Sequence, residues 1–100
     1  MNPIWDAGLR YFSEYLNELT GVAVCEPKMA KGWVFVHMEE SIKTSRGHIE
    51  IFIAGKTDTC AIKVCMLGRD ETQMKELCSV DLNDPGSWDK IKKILEETIQ

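Results

Sequence analysis

A chain of 100 residues, 44% hydrophobic and 28% charged, has the length and composition of one globular domain, not of a disordered segment. Its formal net charge of −4 argues against a protein that coats nucleic acid or anionic lipid, because such binding draws on many Lys and Arg contacts. No apolar run reaches the roughly 18 residues that a membrane span requires.

The charge is uneven along the chain. Residues 1–27 carry one base against four acids, residues 28–63 six bases against four acids, and residues 64–100 five bases against eight acids. A mildly basic middle therefore lies between acidic ends. Met1 to Asp6 lacks the basic and apolar regions of a signal peptide, so a cytoplasmic protein is expected. Its cysteines Cys25, Cys60, Cys65 and Cys78 would then be reduced. None of them forms a Cys-x-x-Cys pair, so zinc-knuckle and thioredoxin-like spacings are missing.

Residues 2–20 read as a helix. Asn2 suits the cap and Pro3 the first helical position, where its missing N–H would be unpaired anyway. Trp5, Leu9, Phe12, Leu16 and Leu19 recur at steps of four and three and make one apolar stripe. Tyr11 and Tyr15 widen it. Gly21 is placed to end the helix in a left-handed conformation. Val22 to Glu26 follows as a short strand that Pro27 stops, since proline supplies no ladder donor. Lys28–Gly32 reads as a hairpin loop.

The centre of the chain is Trp33 to Leu67, which reads as three antiparallel strands separated by the polar loop Glu40–Gly47 and the turn Gly55–Thr59. Pairing the first two strands across the loop centre sets Phe35 opposite Phe52, Val36 opposite Ile51, His37 opposite Glu50, and Glu39 opposite His48. Aromatic pairs and opposite charges are favourable across antiparallel strands. Alternation then sorts the side chains onto two faces. Val34, Val36, Met38, Ile49, Ile51, Ile53, Ile62, Val64 and Met66 make a wholly apolar face, which must be the core. Trp33, Phe35, His37, Glu39, His48, Glu50, Phe52, Ala61, Lys63, Cys65 and Leu67 make a mixed one.

Gly68–Thr72 is a turn, with a helical turn conceivable near Thr72–Glu76. A strand over about 76–82 is expected, residues 74–82 alternating with Met74, Cys78, Val80 and Leu82 on one side and Lys75, Ser79 and Asp81 on the other. Asn83–Ser87 starts a last helix, with Asp84 before Pro85 and Ser87 as competing caps. Trp88, Ile91, Leu95 and Thr98/Ile99 are its stripe. The order predicts one α+β domain over residues 1–100. It is a two-layer sandwich with an N-terminal helix, an antiparallel meander of four to five strands and a C-terminal helix.

Motifs that carry chemistry are sparse. There is no Gly-rich phosphate loop, no Gly-x-Ser-x-Gly elbow, no His-Glu-x-x-His and no calcium loop, so no catalytic residue, metal ligand or cofactor is assigned. His37 and His48 alternate with glutamates, which fits cross-strand ion pairs on a solvated face better than a metal or acid–base site. Cys65 lies beside Glu50, a neighbour that opposes a thiolate.

The mixed face is the better lead, and its binding residues would be Trp33, Phe35, His37, His48, Glu50, Phe52 and Lys63. Aromatics of this kind anchor protein interfaces. They also form stacking platforms for single-stranded nucleic acid, a partner the net charge disfavours. The expected function is that of a small acidic, non-enzymatic protein-binding domain of the adaptor, chaperone or inhibitor type, meeting a protein partner or a second copy of itself. One alternative is an inhibitor whose acids Glu14, Glu18, Asp70, Glu71, Glu76, Asp81, Asp84 and Asp89 imitate nucleic acid before a basic groove. Another is a His/Glu or thiol site with metal or enzymatic chemistry.

Overall fold

In the computed structural model, which describes residues 3–69 and 71–99 with side chains from Asp6 onward, two helices lie on one face of a single antiparallel sheet. Helix α1 spans Pro3–Thr20 and helix α2 spans Ser87–Ile99. Between them come β1 (Lys28–Ala30), β2 (Trp33–His37), β3 (Ile42–Thr44), β4 (Gly47–Lys56), β5 (Ala61–Gly68) and β6 (Lys75–Asp81). The expected cap at Asn2, the side chain of Trp5 in the apolar stripe, and Asp70 lie outside what is described.

The sheet runs β1-β2-β4-β5-β6, with β3 also paired to β4. β4 meets β5 along one side over Ile49–Gly55. On its other side β2 pairs with residues 52–56 and β3 with residues 47–49, so β2 and β3 lie end to end. The six strands exceed the expected four to five because two short ones occupy stretches that read as loops.

The first of these is β1, which pairs Lys28 with Phe35, Met29 with Val34 and Ala30 with Trp33. Lys31 and Gly32 connect it to β2 with φ of 50° and 81°. Two successive positive φ values match the right-handed twist of a hairpin, and glycine at the second position lowers their cost. The expected strand at Val22–Glu26 is reduced to a single bridge, Val24 to Met38. It is held by Cys25 N–H donating to His37 O and Glu39 N–H to Ala23 O. Register shifts by one residue between that bridge and β1, across Pro27. A residue without a ladder donor sits at the break.

The second is β3, inside the supposed loop Glu40–Gly47. Ile42 pairs with Ile49 and enters the core, and Lys43 pairs with His48. Gly47 follows the turn with φ of 102°. Thr44 Oγ1 donates to Gly47 O and accepts from Arg46 N–H, which closes the turn locally.

All nine residues expected on the core face are buried there. Leu9, Phe12 and Leu16 of α1 and Ile91 and Leu95 of α2 cover them. α1 ends as expected, with Gly21 at φ 76° and its N–H donating to Asn17 O. α2 starts later than Pro85. Gly86 O accepts the first bond of the helix, from Lys90 N–H, so Gly86 holds the cap position in place of Asp84 or Ser87. No helical turn forms near Thr72–Glu76 among the described residues; β6 begins at Lys75.

The helices touch along a seam of aromatics. Tyr11 and Trp88 rings are 4.9 Å apart, and Gly8 makes room for the indole. A Cβ at Gly8 would stand 3.0 Å from Trp88 Cζ2 and 3.2 Å from Leu82 Cδ1. That space explains a glycine inside a helix, where it costs about 1 kcal/mol relative to alanine. Gly8→Val is expected to destabilise the fold by about 1–3 kcal/mol, the usual cost of overpacking. Urea unfolding checks it; an unchanged midpoint would mean that the indole swings aside freely.

Tyr15 closes the same seam. Its O–H donates to Glu96 Oε1 at 2.9 Å. Burial, then the Glu96 hydrogen bond and charge, push its phenol from 10.0 up to about 12. The folded state thus holds this proton more tightly than the unfolded chain. The stabilisation is complete below the unfolded value near 10 and is lost as pH rises through 12. Lys92, held protonated by its hydrogen bond to Tyr11, adds a loss of the same sign. Tyr15→Phe should therefore flatten the alkaline fall in the urea midpoint relative to the parent chain. Parallel pH profiles would remove Tyr15 as a cause.

Candidate functional site

Both helices sit on the aliphatic face, and no described element covers the other face. Strand alternation brings Trp33, Phe35 and His37 of β2 to it, with His48, Glu50 and Phe52 of β4 and Lys63 of β5. All seven residues expected on this surface are therefore on it. How they meet differs from expectation.

The β2–β4 register is displaced by two residues. Phe35 lies opposite Ala54, Val36 opposite Ile53, and His37 opposite Phe52. A slip of two preserves every face because the side-chain period is two. Between the β2 and β3 pairings residues 38–41 have no partner on β4, and Met38 bridges to Val24, so the loop centre does not define the pairing. Glu39 is consequently not opposite His48, whose partner is Lys43.

The His37–Glu50 contact survives as a diagonal. Nδ1 of His37 is 3.4 Å from Glu50 Oε1 and 3.1 Å from Met38 O. A carbonyl oxygen only accepts, so Nδ1 carries the proton in this contact. Both side chains are about one-third exposed, at 32% and 36%. A polar contact that wet contributes little, on the order of 0–1 kcal/mol.

The aromatics form a cluster at one corner. Trp33 and Phe35, two residues apart on β2, stack with centroids 6.3 Å apart and planes at 19°. The Lys56 ammonium lies 5.6 Å over the indole. The π surface of Trp33 is thus already engaged by a ring and a cation. Phe35 stays 38% exposed although it is large and apolar. Phe52 is half-buried between His37 and Cys65.

Charges of both signs surround the cluster. Lys28 is in the Phe35 row, Lys63 faces Ala54 and Ser79, and Asp81 faces Ala61. Lys63 Nζ is 3.7 Å from Glu76 Oε1, with both side chains more than half exposed. At the far end Arg46, His48 and Arg69 line a hollow of about 540 Å³ together with the Glu71 carboxylate. Charge counting along the sequence does not reveal this grouping, because Arg46 and Arg69 belong to different hairpin turns. Lys28 and Lys56 belong to the surface too. By sequence the first falls in a loop and the second in a turn.

Groups suited to covalent or metal chemistry are poorly placed. Burial, then the Glu76 charge, push the Cys65 thiol up, and burial pushes Cys78 up. Less thiolate is present as a result. None of the four cysteines is in a disulfide. Among the described residues, no three His, Cys, Asp or Glu side chains converge as a metal site. No helix of the described chain is long and apolar enough to cross a membrane. No family model, curated protein or solved structure matches this chain.

Proposed function

We propose that this chain is a small non-enzymatic binding domain, of the adaptor, chaperone or inhibitor type, acting in the cytoplasm. It contacts a protein, either another chain or a second copy of itself, through the outer sheet face. One observation carries the reading: among the described residues no helix covers the outer face, and Phe35 stays exposed at 38% beside stacked Trp33. Apolar aromatics framed by charges of both signs have the anatomy of a protein interface.

A nucleic-acid strand fits less well. Successive bases need free aromatic faces and a uniformly basic track. Here the Trp33 indole is engaged by Phe35 and Lys56, and Glu50 and Glu76 stand in the track. The test compares the parent chain with Phe35→Glu by sedimentation velocity for self-association and by affinity capture for a partner. Association lost in the variant, with the fold kept, supports this function. Association indifferent to the change removes it.

A further inference from the structure

The lysine corner of the outer face contains a depression of about 420 Å³. Its floor comes from small residues on three adjacent strands, Ala54, Ala61 and Ser79. Its walls are the Trp33 indole and the stems of Lys56 and Lys63. Small side chains in the middle of a sheet leave backbone approachable, whereas bulky ones would fill the space. The hollow is within the size range of ligand pockets, about 300–1,000 Å³.

The charge around it is specific. Lys28, Lys56 and Lys63 stand on β1, β4 and β5, and Lys31 is in the adjoining turn. Glu76 and Asp81 stand opposite them on β6, and Glu50 lies further along the same face of β4. Glu76 is occupied by Lys63 in a solvent-exposed pair at 3.7 Å. Such a pair is worth roughly 0–1 kcal/mol, so an incoming carboxylate exchanges for it at little cost. A chain of net charge −4 thus lines this apolar hollow with two of its twelve bases, Lys56 and Lys63, and keeps Lys28 in the neighbouring Phe35 row.

Resting on the protein-contact reading above, we infer that the hollow receives a large apolar side chain of the partner, set in an acidic segment. The anchor enters between Trp33 and Lys63, over Ala54 and Ala61. The flanking carboxylates meet Lys56, Lys63 and Lys28.

Amide NMR on the full chain tests this with three capped pentapeptides, Asp-Glu-Phe-Asp-Glu, Asp-Glu-Ala-Asp-Glu and Lys-Arg-Phe-Lys-Arg, and with a thymidine oligonucleotide. The acidic phenylalanine peptide should shift the Ala54, Ala61 and Ser79 amides at low salt. The alanine peptide should bind at least about fivefold more weakly, because the anchor is missing. Lys63→Glu should weaken binding about tenfold, and Lys56→Gln should act in the same direction, while amide dispersion reports that each variant is folded. The inference is overturned if the acidic peptide leaves these amides unmoved at about 5 mM, an affinity too weak to matter. It is equally overturned if the basic peptide binds as well, or if the oligonucleotide displaces the acidic peptide. Failure here with Phe35-dependent association intact removes only the acidic anchor. Association indifferent to Phe35→Glu removes the reading of the whole face.

Discussion

Phe12→Ala is expected to cost about 3–5 kcal/mol of unfolding free energy, the range for emptying a buried aromatic site. Phe12 is fully buried in α1 and joins the sheet's aliphatic face to the helix layer. Leu16, Ile51 and Val64 of the same core cluster are themselves fully buried, so a cavity there has little room to collapse. A domain of this size holds only about 5–15 kcal/mol in total, so the loss takes a large share. Urea unfolding followed by circular dichroism measures it. A loss below about 1 kcal/mol would mean that α1 is not part of the cooperative core.

Phe35→Glu should do the opposite. Phe35 is on the same strand as two fully buried valines, yet it faces outward and stays 38% exposed. Its replacement should change stability by less than about 1 kcal/mol, as surface substitutions usually do. It should weaken association by at least about 2 kcal/mol, a factor of roughly 30, since it removes an exposed aromatic anchor and buries a charge at the contact. The measurement is a binding titration beside a urea curve for the same preparation. A variant that binds normally moves the contact off this face. A variant that unfolds would place Phe35 in the core, against its exposure.

The two substitutions separate the faces of one sheet, and alternation in the sequence was sufficient to tell them apart. Every core position from Val34 to Met66 is buried as expected, because a period of two leaves no intermediate assignment. Both helices, the Gly21 stop and the order of elements were legible for the same kind of reason. An apolar stripe at helical spacing, or a glycine after it, has one economical use.

Pairing was less legible. Placing the β2–β4 register at the centre of loop Glu40–Gly47 assumed a simple hairpin. Ile42, a lone aliphatic among polar residues, was the sign that part of that loop pairs and is buried. Positive φ at Lys31 likewise has no sequence signal, since lysine does not favour it, and so the sequence of β1 reads as loop. The break in β6, where pairing moves from Val64–Cys78 to Cys65–Glu76, leaves Leu77 as an extra residue. Such a bulge interrupts an open edge strand, and with Lys75, Glu76 and Asp81 it makes that edge a poor template for another chain. Nothing in the local pattern of Lys75–Asp81 requires it.

The amino-acid sequence by itself determined the α+β class, the two helix stripes, the membership of both sheet faces and the seven outer residues. These depend on local periodicity, which each segment carries within itself. Only the tertiary structure decided that both helices choose the same face and leave the aromatics uncovered. It alone set His37 opposite Phe52, grouped Lys56 and Lys63 around Trp33, and put Lys28 opposite Phe35. Those outcomes depend on register and on which layer meets which. Both are set by contacts between residues distant in the chain, where a shift of two residues preserves every face and changes every neighbour.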